Sequence, residues 1–225
     1  MQLTIAPYLE QSPRWPQTGR PILAQWDEST VWVYQAFRPA IGQFAAAHGK
    51  FGGEYSFGRM SWIKPNFLWM MYRSGWGTKA DQEVTLALRL KREGFETLLA
   101  GAVASSFAGS GYGVQADWQA AVADSDVRLQ WDPDHDPHGR LLPRRALQLG
   151  IRGPTLRRLN EEWLVEVQDI TAFVEQQRGL LQDWARLQTP LETPYPLPDS
   201  ELARRIGADH QDAVWRGTEP PTAGS

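Results

Sequence analysis

One segment of this 225-residue sequence, residues 59–79, concentrates side chains that could bind a phosphorylated, planar molecule. It contains four Lys or Arg, three Trp and one Tyr, and no acidic residue. These side chains are Arg59, Trp62, Lys64, Trp69, Tyr72, Arg73, Trp76 and Lys79. Arg and Lys bind phosphate, Arg through a bidentate fork, and aromatic rings stack on bases. Because a helix beginning near Lys64 and Pro65 would also direct its first amides toward an anion, the segment predicts a site for a nucleotide or another phosphorylated planar ligand.

The same segment has a second interpretation as a helix of the protein core. The stretch NFLWMMYRS is apolar on nearly every side, which is typical of a buried helix, and long cationic side chains extend from such helices into solvent. Phe67, Met70 and Met71 fall at core spacing and are expected in the core. For the four cations and Trp76, the binding and the core interpretations both stay open.

Two glutamines on predicted strands could complete the site. Gln35 lies near the end of TVWVYQAF, where active sites often gather, and Gln148 lies within RRALQLGI on the same face as Arg144. Either glutamine could instead be an exposed residue of a sheet face. The candidate catalytic residues are therefore Gln35, Gln148 and Arg73. The candidate cofactor-binding residues are Arg59, Trp62, Lys64, Tyr72, Trp76 and Lys79.

These residue types suit NAD or another nucleotide as the cofactor. Phosphates would be held by Arg59, Lys64 and Arg73. A base or a nicotinamide ring would stack on Trp62, Tyr72 or Trp76, and the two glutamines would orient ribose hydroxyls. Cleavage of the glycosidic bond of NAD also requires a carboxylate near the ribosyl cation. The carboxylates near these segments are Glu54, Glu83 and Asp132.

The common signatures of nucleotide-binding and hydrolytic enzymes are missing from the sequence. It has no GxGxxG after a strand, no P-loop, no GxSxG and no HExxH. The segment DPDHDPHG groups carboxylates and imidazoles that could bind a metal, but its prolines and glycine indicate a solvated turn. We therefore predict a turn there and no metal site.

Length and composition suit one globular domain. The sequence is 42% hydrophobic and 22% charged, with a net charge of −3 and a pI of about 5.8, so a global basic field for nucleic acid is absent. No apolar run approaches the ~20 residues of a membrane span, there is no cysteine, and the N-terminus lacks the pattern of a signal peptide. A soluble, cytoplasmic protein with no membrane contact is expected.

Hydrophobic periodicity predicts strands mixed with short helices. Helices are expected from Pro39 to Gly49 and over NFLWMMYRS, which Gly75 would end. EVTLALRLKR alternates as a half-exposed strand, and residues 169–188 form the clearest amphipathic helix. The predicted fold class is α+β, a single compact domain with a mixed, mainly antiparallel sheet, short helices and a C-terminal amphipathic helix.

The predicted organisation has three parts. Residues 1–19 hold aromatics and prolines without periodicity and are expected to form a strap on the domain. Residues 20–188 form the α+β domain itself. Residues 189–225 are proline-rich and are expected to form an extended tail.

Four stretches of the sequence together resemble one protein family. They are PILAQWDESTVWVYQAFRPAI, RMSWIKPNFLWMMYRSGWGTK, VRLQWDPDHD and RRALQLGIRG. They resemble the signature blocks of the family called domain of unknown function 4291 (DUF4291), over roughly residues 19–187. The family has no assigned activity, so the resemblance implies a shared fold and leaves the chemistry to the residues themselves.

A more distant similarity is to ADP-ribosyltransferase-like enzymes, which are compact α+β domains without a Rossmann glycine motif. That similarity implies NAD held by an early strand, by stacking aromatics and by a Glu or Gln on a late strand. Gln35 stands here where those enzymes have Arg or His, and Gln148 stands at the late position. The resemblance lies in the fold class and in the order along the chain of the early strand, the aromatic segment and the late strand.

Three functional hypotheses follow from these observations. The first is a nucleotide-handling enzyme, in particular an NAD-dependent transferase acting on a small phosphorylated or nucleotide ligand. The second is a non-catalytic module for single-stranded nucleic acid such as RNA, with the same side chains along an open groove. The third is a protein-interaction domain, which requires Trp62, Trp69 and Trp76 to form a flat exposed patch.

Overall fold

The computed structural model describes residues 2–209 of the chain. Its strands, in chain order, are β1 (Ile5–Pro7), β2 (Leu23–Ala24), β3 (Thr30–Phe37), β4 (Ser61–Ile63), β5 (Val84–Lys91), β6 (Val103–Ala104), β7 (Val127–His135), β8 (Leu141–Ile151), β9 (Leu164–Asp169), β10 (Gln188–Pro190) and β11 (Thr193–Pro194). Its α-helices are α1 (Tyr8–Gln11), α2 (Pro39–His48), α3 (Phe67–Ser74), α4 (Arg92–Gly101), α5 (Gln115–Asp124), α6 (Gly153–Arg158), α7 (Thr171–Arg178) and α8 (Ser200–Ile206). The α+β fold class predicted from the sequence is confirmed.

Two small sheets form the centre of the molecule. One is antiparallel with strand order β3-β5-β9, and the other has the order β4-β8-β7-β6, with only the β6–β7 pair parallel. A bridge between Tyr34 of β3 and Lys64, just after β4, joins them: the Tyr34 amide donates to the Lys64 carbonyl at 2.7 Å and the reverse bond measures 3.1 Å. The two sheets therefore meet at the segment that the sequence singled out.

Strands β3 and β5 of the three-stranded sheet are largely buried on both faces, whereas no residue of β9 is fully buried. Val31 and Val33 of β3 pack into one apolar cluster, and Trp32 and Tyr34 pack into a second on the opposite face. Strand β5 between its neighbours is also buried along most of its length, so the prediction of a half-exposed strand is wrong. Alternation misleads there because Thr85 is fully buried on the face that also holds Ala87.

Helix α3 has the ends that the sequence predicts. Asn66 caps its start, accepting the Trp69 amide at 2.7 Å, and Gly75 ends it in the left-handed conformation at φ 59°. The buried Glu192 also accepts the Phe67 amide, at 2.6 Å. The first amides of a helix have no partner within the helix, so this bond satisfies one of them and Glu192 helps to define where α3 begins.

The sequence prediction is wrong for two helices. The amphipathic helix of residues 169–188 extends only over Thr171–Arg178, because the chain passes into turns from Gly179 onward and glycine disfavours helix. Helix α5 was missed because it buries no residue and therefore carries no apolar stripe.

The two ends of the described chain pair with each other. Strand β1 is antiparallel to β10, and β11 is antiparallel to β2. Tyr8 and Trp15 from the predicted strap are buried, as are Tyr195 and Ile206 from the segment predicted as a tail. The remainder of that segment, residues 210–225, lies outside the described residues. Over residues 2–209, no helix has the length and apolar character needed to cross a bilayer.

Candidate functional site

A cleft of about 500 Å³ opens where the two sheets meet. Its walls come from the end of β3, from β4 and Lys64, from α3, and from the middle of β7 and β8. The lining residues are Gln35, Ala36, Phe37, Met60, Ser61, Trp62, Lys64, Trp69, Met70, Arg73, Gln82, Gln130, Asp132 and Gln148. All three candidate catalytic residues, Gln35, Gln148 and Arg73, are among them, together with Trp62 and Lys64 from the candidate binding set.

Lys64 is the most unusual group in the cleft. It is only 4% exposed, and its Nζ makes no hydrogen bond or ion pair within the described part of the chain. Burial lowers the pKa of its ammonium group to about 8; the charge of Arg73 acts in the same direction and Asp132 opposes it. A buried cation without a partner is unfavourable, so this position suits an anion or a reaction of the free amine.

Gln35 joins the two sheets beneath the cleft. Its Nε2 donates to Ser61 Oγ at 2.8 Å and to the Trp62 carbonyl at 3.0 Å. Both acceptors belong to β4, and Gln35 is 4% exposed. These bonds fix its amide plane, so the side chain holds the position of β4 as well as lining the cleft.

Asp132 supplies the carboxylate of the cleft. Gln130 and Gln148 are direct cross-strand neighbours on β7 and β8, and each donates to this carboxylate: Gln130 Nε2 to Oδ1 at 2.7 Å and Gln148 Nε2 to Oδ2 at 2.6 Å. Asp132 is half-buried and is the sole carboxylate among the residues lining the cleft. The two amides hold its oxygens in a fixed orientation.

Two tryptophans form apolar parts of the wall. Trp62 is half-buried and lies against Gly150 of β8, where a Cβ atom would come within 2.9 Å of the indole ring and of Met60 Sδ. Trp69 is 6% exposed and is parallel to the His135 ring at a centroid distance of 5.4 Å. The absence of a side chain at Gly150 therefore allows the Trp62 indole to approach β8 closely.

Four predicted binding residues lie outside this cleft. Arg59 lines an adjoining hollow with Glu54, which pairs with Arg38 at 2.7 Å. The other three, Tyr72, Trp76 and Lys79, make contacts within α3 or between α3 and neighbouring segments. Tyr72 stacks on His135 at 3.4 Å between centroids, and Lys79 Nζ donates to the Arg73 carbonyl at 2.8 Å.

Trp76 is a core residue. It is 7% exposed, adopts a left-handed φ of 56°, and donates its indole N–H to the Pro137 carbonyl at 3.2 Å. Its own carbonyl accepts from Arg178 Nη1 at 2.9 Å. Every polar group of this residue is thus engaged in holding α3 against the 137–138 turn and α7.

The segment DPDHDPHG is only partly a solvated turn. Strand β7 extends through His135, and Asp134 and His135 are 1% and 2% exposed. Asp134 Oδ2 accepts from the buried Arg144 Nε at 2.5 Å, so a buried ion pair replaces the predicted solvation. The turn proper begins at Asp136, whose Oδ1 accepts the amides of His138 and Arg140 at 2.9 Å each.

A larger hollow of about 650 Å³ lies between residues 100–112 and α8. It is lined by Arg20, Arg204 and Arg205, but Arg20 donates to the Gly207 carbonyl at 3.4 Å and both other arginines are exposed. None of the three arginines that line this hollow is both buried and without a partner, as Lys64 is in the smaller cleft. The smaller cleft is therefore the better candidate site.

Reasoning from the sequence left four polar lining residues out of the candidate set, namely Ser61, Gln82, Gln130 and Asp132. Gln82 and Gln130 were not singled out, and Asp132 was weighed only as one of three carboxylates. The signal that could have found Gln130 and Asp132 is the spacing of two along β7, which puts both side chains on one face. Their contact with Gln148 required the pairing register of β7 and β8.

The chain is thus an α+β protein with a polar cleft at the junction of two sheets. The family model described as Domain of unknown function (DUF4291) matches residues 21–195. The chain belongs to this family, and the resemblance drawn from its four sequence blocks is confirmed. A search among curated proteins finds none that matches.

Proposed function

We propose that this chain is a nucleotide-binding enzyme whose cleft takes a phosphorylated ligand with a planar ring, with NAD as the first candidate. The observation that carries the proposal is that five residues chosen from the sequence line one cleft. They come from β3, from β4 and the position directly after it, from α3 and from β8. They are Gln35, Trp62, Lys64, Arg73 and Gln148. A volume of about 500 Å³ lies within the range of small-molecule sites.

The phosphate end of the ligand would bind Lys64 and Arg73. Arg73 lies on the exposed side of α3 and can offer its bidentate fork to an incoming phosphate. Lys64 lies buried in the wall, where Asp132 acts on it by charge but makes no ion pair with it. An anion bound there would offset the burial of the ammonium group, so binding would raise the pKa of Lys64 above its value of about 8 in the free protein.

The ring of the ligand would lie on the apolar wall. Trp62 is half-buried and packs against Gly150, and we expect the exposed part of its indole to stack on the ring. Trp69 lines the cleft and is held in place by its stack with Tyr72 and His135. We expect Trp62 to contact the ring and Trp69 to support it.

For an ADP-ribosyltransferase-like reaction on NAD, the acting carboxylate would be Asp132. The bond from ribose C1′ to the nicotinamide nitrogen breaks, nicotinamide leaves with the electron pair, and an acceptor nucleophile adds to C1′ and loses its proton. Asp132 would stabilise the positive charge on the ribosyl group. Gln148 would act as a positioning residue through Asp132, and Glu54 and Glu83 do not line the cleft.

The alternatives make different demands on the same residues. A protein-interaction patch needs three exposed tryptophans, whereas Trp69 and Trp76 are buried. A single-stranded nucleic-acid module needs cations along an open groove, and its affinity would fall steeply with salt. RNA binding therefore remains a distinct outcome of the test. The cytoplasmic location expected from the sequence is part of the proposal.

The direct test is calorimetry with NAD, ATP and a short RNA at two salt concentrations. Wild type is compared with Arg73→Ala and with Arg14→Ala, an exposed arginine outside the cleft. We expect one nucleotide to bind wild type and Arg14→Ala equally. Arg73→Ala should bind roughly ten- to a hundredfold more weakly, because a hydrogen bond to a charged group contributes about 1.5–3 kcal/mol. If the folded proteins bind no ligand, the proposal is wrong, and salt-sensitive binding of RNA alone would favour the alternative.

A further inference from the structure

Lys64 differs in kind from every other lysine of this sequence. The sequence has four, at positions 50, 64, 79 and 91. Lys50, Lys79 and Lys91 are exposed, and two of them have polar contacts: Lys79 with backbone carbonyls and Lys91 with Glu93. Lys64 alone is buried, and its amine lacks any partner in the described part of the chain. Phosphate binding needs a cation but does not require it to be buried.

We propose that Lys64 is the reactive amine of the cleft and forms a reversible imine with a phosphorylated aldehyde that carries a planar ring or a sugar. The inference rests on the proposed function for one element, the binding of the ligand's phosphate by Arg73. It adds the chemical class of the ligand's reacting group and a covalent step that nucleotide binding alone does not include.

The covalent step balances without an oxidant or a reductant. The lone pair of Nζ attacks the carbonyl carbon, and the electron pair of the C=O π bond moves to the oxygen. One proton then passes from the nitrogen to that oxygen to give a carbinolamine. The nitrogen then loses its remaining proton as the hydroxyl leaves as water, and a C=N bond forms. Hydrolysis reverses the sequence and returns the aldehyde and the free amine.

The lining of the cleft supplies the groups that this step needs. An amine must be neutral to attack, and burial favours the neutral form of Lys64, with Arg73 from α3 acting in the same direction. Asp132 from β7 is the one carboxylate among the lining residues, and its negative charge acts on Lys64. We therefore assign to it the transfer of the proton between nitrogen and oxygen. Its oxygens are already held by two amides.

The fraction of neutral amine separates Lys64 from the exposed lysines. At pH 8 roughly half of a group with a pKa of about 8 is neutral. An ordinary exposed lysine is neutral in fewer than roughly one molecule in a hundred at that pH. Selective reaction at Lys64 is therefore a measurable consequence even though the natural ligand is unidentified.

The test uses pyridoxal 5′-phosphate as the probe, because it joins an aldehyde, a planar ring and a phosphate. The full chain is incubated with the probe at pH 8, reduced with borohydride, digested and mapped by mass spectrometry. We expect Lys64 to be labelled at least tenfold faster than the three exposed lysines. Pyridoxal without phosphate should label Lys64 more slowly, because it cannot use Arg73. Mapping separates these sites from the terminal α-amine.

Two variants and a competition complete the design. Lys64→Arg keeps the positive charge and should lose this label, whereas Lys50→Arg should label at Lys64 as wild type does. Wild-type labelling confined to exposed lysines overturns the inference, and that result does not depend on whether a variant folds. If NAD or ATP binds by calorimetry while Lys64 stays unlabelled, the imine is wrong and the proposed function stands. If Lys64 is labelled while no nucleotide binds, the imine stands and the proposed nucleotide-binding function is wrong.

Discussion

Gln148 Nε2 donates a 2.6 Å hydrogen bond to Asp132 Oδ2 across strands β7 and β8. The bond makes Gln148 a positioning residue for the only carboxylate among the lining residues of the cleft. From the sequence, Gln148 was expected to contact a ribose hydroxyl. In the structure its Nε2 group donates to Asp132 instead. The chemistry that the cleft can perform depends on how firmly this carboxylate is held, and the following predictions start from that bond.

Replacing Gln148 with Leu should slow turnover without preventing ligand binding. The substitution removes one of the two amides that fix Asp132 but leaves Lys64 and Arg73 in place. Loss of a hydrogen bond to a charged group costs about 1.5–3 kcal/mol, so we expect kcat to fall roughly tenfold or more. The nucleotide Kd should change less than threefold. The measurement is NAD cleavage kinetics together with calorimetry.

The control for this prediction is Gln43→Ala, an exposed residue on α2. It should leave both kcat and Kd unchanged. A Gln148→Leu protein that is folded and turns over at the wild-type rate would show that the orientation of Asp132 is irrelevant to the reaction.

Replacing Lys64 with Met should stabilise the free protein in a pH-dependent manner. Folding lowers the pKa of Lys64 from 10.5 to about 8, so between these values the folded state binds fewer protons than the unfolded state. Stability therefore rises with pH across this window and is lowest below pH 8. We expect the Met variant to be more stable by roughly 3 kcal/mol at pH 7, and by much less near pH 10.

Urea unfolding of both proteins at pH 7 and pH 10 measures this difference. The expected sign is unusual, because the variant that binds ligand less well is the more stable one. The prediction is contradicted if the difference in the free energy of unfolding between the two proteins does not change with pH, or if the Met variant is the less stable one at pH 7. Either result would mean that burial does not destabilise the charged form of Lys64.

Replacing Gly150 with Ala should displace Trp62. A Cβ atom at position 150 would come within 2.9 Å of the indole ring and of Met60 Sδ, a contact closer than packing allows. We expect a loss of about 1–3 kcal/mol in stability and weaker binding of ligands with a planar ring. Tryptophan fluorescence and calorimetry test both effects. A ligand such as inorganic pyrophosphate, which has no ring, should lose less affinity than NAD.

Replacing Glu192 with Gln should change how stability depends on pH. Burial raises the pKa of Glu192 well above its usual 4.5, although the Phe67 amide opposes this shift. From pH 4.5 upward the folded state therefore binds more protons than the unfolded state, and the contribution of Glu192 to stability falls as pH rises. The advantage of wild type over the Gln variant should be largest at acid pH and shrink toward pH 8. Unfolding curves from pH 4.5 to 8 that show a growing advantage would contradict the shift.

Local signals in the sequence were sufficient to predict the parts of the site that one segment provides. Pro39, Gly49 and Gly75 mark the ends of α2 and α3 because proline and glycine have strong backbone preferences. The same segment also predicted Trp76 and Lys79 as binding residues, and neither lines the cleft. Their distance from the cleft is set by the left-handed turn after α3, which a count of residue types does not reveal.

The rest of the site depends on contacts between residues far apart in the sequence. Glu192 reaches the start of α3 across 125 positions. Asp132 meets Gln148 only because the pairing of β7 and β8 keeps its register up to the irregularity between Pro133 and His135. The backbone of Lys64 is held at the junction of the two sheets by its bridge to Tyr34, 30 positions earlier in the chain. None of these pairings leaves a periodic trace, so only the folded structure reveals them.

The most direct measurement is an NMR titration of protein labelled with carbon-13 lysine. Four lysines give a simple spectrum, in which the Lys64 Cε signal reports the charge on Nζ. In the free protein we expect this signal to titrate with a pKa of about 8. Saturation with NAD should shift it and raise that pKa, while the signals of Lys50 and Lys91 stay in place. A Lys64 signal that keeps its position and its pKa in saturating nucleotide would contradict the account.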